Sequence, residues 1–231
     1  MSEWWTYTLS DFLLFSPRTY YRLFEAYNAA IWPAQIVTVA LGIAILALLR
    51  RGASDRGRWI AAILAACWLF VALAFHAHRY STINWAAVYF AWAFGIEAAL
   101  LLGIGVARGL LPFERPAGGA ARAGLWIFLA ALIAEPAVSI LLGRGAKSAE
   151  VFGIAPDPTA IATLGILVMA GGRGRWLLMT IPVIWCAISG FTLLAMKSPE
   201  AWVPPLAAVL ATSLAISQAR SRRRRELTPA S

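Results

Sequence analysis

Two carboxylates lie inside apolar stretches that are long enough to cross a membrane. Glu97 lies in the run INWAAVYFAWAFGIEAALLLGIGVA, and Glu135 lies in LWIFLAALIAEPAVSILL, directly before Pro136. A charged group at the centre of a membrane helix costs about 2.5–3.5 kcal/mol on insertion scales, so such residues usually mark a route for protons, ions or solutes. Ser139 follows Glu135 at i+4, on the same helix face. The sequence therefore predicts that Glu97, Glu135 and Ser139 line a substrate or proton path.

Each of these acids also has a purely structural interpretation. Glu97 could be a neutral acid that is hydrogen-bonded to a neighbouring helix. Glu135 could belong to a simple proline kink, because Pro136 removes a backbone donor and disfavours helical geometry at the preceding residue. The helix of Glu97 also carries a ridge of small residues at i+4 spacing, a pattern that predicts close helix packing on another face. The ridge consists of Ala91, Gly95, Ala99, Gly103 and Ala107.

A second polar group falls near the predicted outer ends of the spans. It comprises His76, His78, Glu150 and Asp157. Imidazole and carboxylate are common metal ligands, but two histidines at i and i+2 converge only if the chain is extended there. The group therefore predicts either the polar lining of an outer vestibule or a metal site.

The composition indicates the elements that must position these residues. The chain has 231 residues, of which 61% are hydrophobic and 13% are charged. Apolar runs of about twenty residues match the length that a helix needs to cross a membrane. The predicted fold is an all-α polytopic transmembrane helix bundle with about seven spans, or six as an alternative, because the fifth run is short. The approximate spans are 29–49, 59–75, 83–107, 125–142, 158–172, 176–196 and 201–217.

The N-terminal segment, 1–28, has the pattern of an interfacial amphipathic helix. Ser16 is a plausible N-cap and Pro17 suits the first helical position. Apolar residues then recur at i, i+3, i+4 and i+7, a face that is predicted to lie on the membrane surface, with Trp4 and Trp5 as further anchors. That face consists of Tyr20, Leu23, Phe24 and Tyr27. The bundle is assigned to 29–218 and a disordered basic tail to 219–231.

The distribution of Lys and Arg predicts an orientation. With seven spans, one side of the membrane receives 14 of these residues and the other receives 6. The positive-inside rule then puts the C-terminus in the cytoplasm and the N-terminus outside. The predicted location is the cytoplasmic (inner) membrane. If 158–172 did not cross, the tail arginines would change sides and the bias would weaken.

Several cofactors and partners are not expected. Retinal needs a lysine inside a span, but Lys147 and Lys197 lie in loops. Haem would need histidines on facing helices, and no nucleotide-binding Walker motif is found. The net charge of +9 is assigned to anionic lipid headgroups at the basic tail, and nucleic acid is not expected. The identity of any cofactor stays open, as does a homo-oligomer or a membrane partner.

Three functions follow from these observations. The first is a proton-coupled transporter or permease for a small solute or ion. The alternative is a non-catalytic membrane subunit or scaffold that binds a partner protein or lipid. A metal-dependent membrane enzyme is the third.

Two stretches also carry a family resemblance. They are WWTYTLSDFLLFSPRTYYRLFEAYNAAIWPAQ and INWAAVYFAWAFGIEAALLL. They resemble a bacterial inner-membrane family that is known only as a domain of unknown function, and whose members often carry the label of a major-facilitator permease. The true major-facilitator fold has about twice as many helices as this chain can hold. The resemblance therefore implies a small multi-pass membrane protein and no particular activity.

Overall fold

The computed structural model of this chain consists mainly of helices joined by short non-helical segments. It describes residues 13–51, 54–113 and 119–227, with side chains described as far as residue 221. The predicted all-α bundle is confirmed, since no strand occurs in these ranges. The helices are α1 Pro17–Ala30, α2 Ala34–Arg50, α3 Arg56–Phe70, α4 Ala87–Leu100, α5 Gly119–Leu129, α6 Glu135–Leu141, α7 Pro156–Met169, α8 Gly174–Ala195 and α9 Val203–Leu227.

Stretches of π-helix lengthen several of these helices. Val71–Ala77 continues α3, Leu101–Ala107 continues α4, and Ala130–Ala134 joins α5 to α6. The last of these lies just before Pro136, where the missing proline N–H removes an α-helical hydrogen bond. Glu135 itself is helical, with φ −56° and ψ −49°. Glu135 therefore keeps helical geometry despite Pro136, and the helix widens into a π-helix just before it.

Five helical segments are long and apolar enough to cross a membrane. The predicted total of seven spans exceeds this number, and the alternative of six matches the largest count that the described residues support. That count is reached if α1 and α2, which meet at 87°, together form one bent span. The five segments are Arg56–Thr82, Ala87–Ala107, Gly119–Leu141, Gly174–Ala195 and Pro199–Ser221.

The region that was predicted as a span, 158–172, forms helix α7. It has 14 residues, which reach about 21 Å, and 156–168 are all buried. It packs against α5, α8 and α9. Because protein surrounds this helix, its apolar character reflects burial in the bundle as much as the lipid environment that the prediction assumed.

The segment before α7 enters the bundle without being helical. Gly153 has φ +81°, and a Cβ there would come within 3.0 Å of Cys67 Sγ and of Thr38. Cys67 lies eleven residues after Arg56, at the start of α3, so it is about 17 Å along that helix. The chain therefore reaches about half way into the bundle before α7 begins. Irregular backbone at this depth is tolerated where protein buries it or where it lines a cavity.

The loops gather at two ends of the bundle. Helix α1 and the segments that follow α6 and α8 share one end, called here the acidic end, where Asn28 Nδ2 donates to Lys147 O at 2.9 Å. The turns that precede α3 and α8 and the segment that follows α4 share the opposite, basic end. There Gly171 N donates to Pro112 O at 2.7 Å, and Arg56 donates to Phe113 O. Helix α7 starts from the acidic-end segment and ends at the basic end, as the charge count assumed.

Helix α1 forms as predicted but packs differently. Ser16 Oγ accepts a hydrogen bond from Thr19 N at 3.2 Å, and Pro17 is the first helical residue. The apolar face is buried against protein: Phe24 stacks on Phe75 at 4.9 Å between ring centroids. The expectation of a membrane-facing helix is therefore corrected for this face. Trp4 and Trp5 lie outside the described residues.

Two further expectations are wrong. A Cβ at Gly95 or Gly103 would meet nothing within 4 Å, so the small-residue ridge does not pack against any helix among the described residues. The buried face of that helix instead includes Phe94, Glu97 and Ala98. The basic tail is not disordered up to residue 227, because α9 continues to Leu227.

Candidate functional site

The acidic end encloses a small cavity in which carboxylates from four segments meet. Its volume is about 10 Å³, the room of one water molecule. This space is called the acidic cavity, and it brings predicted path residues together with predicted vestibule residues. Its lining is Glu135, Val138, Ser139, Arg144, Glu150, Asp157, Leu193, Glu200, Val203 and Pro204.

Asp157 is the most buried acid of this cavity, with 4% of its surface exposed. The sequence Ala-Pro-Asp-Pro starts α7 here: Ala155 is the extended N-cap and Pro156 is the first helical residue. The helix therefore begins two residues before the predicted start of the span at 158. As an acidic residue in the first turn, Asp157 is stabilised by the positive end of the helix dipole.

Two residues of α8 hold the Asp157 carboxylate. Trp185 Nε1 donates to Oδ1 at 2.7 Å, and Ser189 Oγ donates to Oδ2 at 2.5 Å. Trp185 and Ser189 are spaced at i+4, so they present both donors on one helix face. Sequence reasoning missed them. One available signal was that Trp185 lies in the middle of a span, whereas Trp59, Trp85, Trp176 and Trp202 lie near span ends.

Burial and mutual repulsion favour protonation in the acidic cavity. Burial raises the pKa of the Asp157 carboxyl above its ordinary value, and the hydrogen bonds from Ser189 and Trp185 oppose that rise. Burial also raises the pKa of Glu150, with further increases from the charges of Asp157 and Glu135, while Arg144 lowers it. Neighbouring carboxylates in a poorly solvated space cannot all ionise cheaply, so this cavity can take up and release protons.

An ion pair lies on the side of the cavity that faces α1. Arg144 Nη1 lies 2.5 Å from Glu200 Oε1, and both side chains are mostly buried. The Tyr21 hydroxyl of α1 donates to Glu200 Oε1 at 3.1 Å and lies 2.5 Å from Ser198 Oγ. The Arg144 guanidinium also lies over the Tyr21 ring, 4.2 Å from its centroid. This group of Tyr21, Arg144, Ser198 and Glu200, the latch, joins α1 to two loops.

Glu135 and Ser139 both line the acidic cavity, one turn apart on α6. Ser139 Oγ donates to Ser148 O at 3.2 Å, which ties the helix to the loop that carries Glu150. Glu135 is partly buried. The i+4 relation that suggested a common face therefore leads both residues into one space.

The two histidines diverge. His78 is exposed, whereas His76 is fully buried and neither of its ring nitrogens has a hydrogen-bond partner within the described residues. Its imidazole contacts five aromatic rings, those of Phe75, Tyr80, Phe90, Phe94 and Trp185. The predicted metal group of His76, His78, Asp157 and Glu150 does not assemble. Across the part of the chain that the structure describes, no three His, Cys, Asp or Glu side chains are arranged to hold a metal ion.

His76 nevertheless contacts the site indirectly. Its ring centroid lies 4.9 Å from that of Trp185, whose Nε1 donates to Asp157. Trp185 thus connects the aromatic rings around His76 to Asp157 in the acidic cavity.

Glu97 lies outside the acidic cavity. Its side chain is 0% exposed, and neither carboxyl oxygen has a hydrogen-bond partner within the described ranges. It follows Phe94 by three residues on the buried face of α4, toward the basic end. Of the three predicted path residues, Glu135 and Ser139 therefore share the acidic cavity and Glu97 does not.

Comparison with known proteins gives a family and nothing more specific. No curated protein and no solved structure matches the chain. One family model matches residues 18–226, which include every residue of the acidic cavity and the latch. The chain therefore belongs to the family of unknown function DUF6064.

Proposed function

We propose that this membrane protein is a proton-coupled transporter or permease whose proton-binding site is the acidic cavity. The observation that carries the proposal is the buried Asp157 carboxylate at the start of α7, held by Trp185 and Ser189 and surrounded by further acids. Ionisable residues inside membrane bundles are commonly parts of proton relays. Many transporters also bind their ligands where helices are interrupted, and irregular backbone precedes α7 here.

The size of the cavity narrows what it holds in this conformation. A volume of about 10 Å³ accommodates one water molecule or a small ion but no organic solute. The latch closes the cavity on the side of α1, so any solute would need a second, open conformation. The structure therefore corresponds to a closed state in this proposal, with Asp157 and Glu150 as proton acceptors.

The orientation is part of the same proposal. Most Lys and Arg residues lie at the basic end and in the C-terminal tail, so the positive-inside rule favours a cytoplasmic basic end. The acidic cavity would then face the outside of the cytoplasmic membrane, and the latch would be the outer gate.

A pH jump on reconstituted protein tests this function without knowledge of the solute. Proteoliposomes on a solid-supported membrane should give a transient charge displacement when the external pH changes, because protons enter the cavity. Asp157→Asn should remove most of that signal, and Glu150→Gln should reduce it. Glu25→Gln, at an exposed acid on α1, is the matched control and should match the wild type. A full signal from Asp157→Asn would refute the proposal.

A non-transporting membrane subunit is the second candidate. The small, closed cavity favours it, because a sealed polar core also serves to fix the packing of a scaffold. This candidate predicts no charge displacement from the wild-type protein and a partner that co-purifies with it in stoichiometric amount.

A further inference from the structure

A groove between α2 and α5 at the basic end combines an apolar surface with arginines. Its volume is about 200 Å³, and most of its exposed surface is apolar. Helix α7 contributes Met169, and the segment after α4 contributes Phe113. The full lining is Leu46, Leu49, Arg50, Arg56, Phe113, Ala121, Arg122, Leu125, Leu129 and Met169.

The three arginines of the groove have different roles. Arg56 donates to Arg51 O at 3.0 Å and also to Phe113 O, so it fixes the backbone around the groove. Arg50 and Arg122 are exposed, and neither forms an ion pair with an acid in the described ranges. These two guanidiniums are therefore available to an anion from outside the chain.

The order of charge and apolar surface along the helices matches one kind of ligand. Arg50 is the last residue of α2 and Arg122 lies in the first turn of α5. Leu129 lies seven residues after Arg122, about 10 Å further into the bundle. A ligand here would have its anionic group at the membrane surface and an apolar part beneath it.

We infer that this groove binds an anionic glycerophospholipid, with its phosphate at Arg50 and Arg122 and an acyl chain along Leu46, Leu125 and Leu129. Guanidinium groups bind phosphate through paired charge-assisted hydrogen bonds. Basic pockets between transmembrane helices are recognised sites for acidic lipid headgroups. A soluble phosphate compound would leave the apolar wall unused, and a neutral apolar ligand would leave the two arginines without a counter-charge. The inference is independent of the proposed transport function.

Native mass spectrometry of the full-length protein in mild detergent tests the site. Phosphatidylglycerol should bind more tightly than phosphatidylcholine of equal chain length. The double variant Arg50→Gln/Arg122→Gln should weaken phosphatidylglycerol binding about 25-fold, since each arginine near an anionic surface contributes about fivefold. Both side chains are exposed, so the variant should unfold at the same temperature as the wild type.

Two further variants separate this site from general attraction to a basic surface. Arg173→Gln/Arg220→Gln removes two exposed arginines near the same end, outside the groove, and should leave binding unchanged. Ala121→Trp fills the groove without changing its charge. It should weaken binding about tenfold or more, because each buried CH₂ of an acyl chain contributes about fourfold. The inference would be overturned if Arg50→Gln/Arg122→Gln bound phosphatidylglycerol as tightly as the wild type. It would also be overturned if the control variant lost as much binding as the groove variant. Competition by inorganic phosphate at an affinity equal to that of the lipid would overturn it as well.

Discussion

A buried charged residue lies at each end of α7, and the two residues have different surroundings. At the start of the helix, Asp157 accepts from Trp185 and Ser189 and faces a cavity with other acids. Beyond its end, Arg175 donates to Ala170 O at 3.1 Å, to Ala215 O at 2.8 Å and to Gln218 Oε1 at 2.8 Å. Both charges have the sign that the dipole of α7 favours, whereas the dipole of α8, in whose first turn Arg175 lies, opposes the positive charge.

The two sites differ in the groups that surround each charged side chain. The donors of Arg175 join the end of α7 to α9, and their acceptors are neutral carbonyl and amide oxygens, not acids. Asp157 has neighbours that can exchange protons. We therefore interpret the Arg175 end as a structural joint and the Asp157 end as the working site, and this comparison yields four predictions.

The largest effect is expected from removal of the buried cation. Arg175→Ala takes a charged donor away from three oxygen acceptors, and each buried acceptor left unsatisfied costs about 1–3 kcal/mol. The unfolding temperature in detergent should fall sharply. Arg173→Ala, at the exposed neighbour, is the control and should change it little. Equal effects from the two variants would mean that Arg175 is not a joint.

Glu97 extends the comparison, because it is buried and its carboxyl has no hydrogen-bond partner within the described ranges. Glu97→Met replaces a carboxyl that lacks hydrogen-bond partners in the described structure with an apolar side chain of similar length. We expect stabilisation of about 1–3 kcal/mol, the desolvation cost of such a group. The change in unfolding temperature relative to the wild type measures this stabilisation. A destabilised Glu97→Met protein would show that Glu97 has a polar role, and the pH-jump signal would then identify it as part of the proton path.

The pH dependence of stability tests Asp157. Because burial raises its pKa in the folded state, the folded protein holds a proton that the unfolded chain releases near pH 3.9. Stability should therefore fall as the pH rises above about 4, by up to about 1.4 kcal/mol per pH unit, until the folded pKa is passed.

Asp157→Asn lacks this term, so its stability relative to the wild type should increase with pH. Unfolding temperatures measured from about pH 4 to pH 8 give the comparison, and Glu25→Gln is the control with unchanged pH dependence. A constant offset between Asp157→Asn and wild type would contradict the raised pKa.

The smallest effect is expected at the latch. Tyr21→Phe removes the hydroxyl that contacts Ser198 and Glu200 but keeps the ring under Arg144, so it should cost only about 1 kcal/mol. That loss should open the cavity more often. In a Ser139→Cys background, a membrane-impermeant thiol reagent should therefore react faster when Tyr21→Phe is added. Tyr89→Phe, at an exposed residue of α4, is the matched control. An unchanged rate would show that the latch does not control access.

Local sequence patterns predicted the features that depend on residues close together along the chain. The cap at Ser16 and the apolar face of α1 formed where the i, i+3, i+4 pattern predicted them, and Glu135 and Ser139 share a face for the same reason. The loop charges also separated into the two ends that alternate helices require. The apolar runs were enough to establish a helical membrane protein, because their length matches a membrane.

The burial of the helices and the assembly of the cavity depend on contacts between segments that are distant in sequence. An apolar pattern does not reveal whether lipid or protein covers a helix, so the burial of α7 and of the α1 face, and the openness of the Gly95–Gly103 ridge, emerged only from packing. Other segments of the chain supply Trp185 and Ser189, which bind Asp157, and also Arg144 and Glu200, which line the cavity. The sequence alone determined that this chain is a membrane bundle containing buried acids. Only the tertiary structure decided that Asp157, and not Glu97, shares a cavity with other acids, because that depends on where α7 and α8 meet.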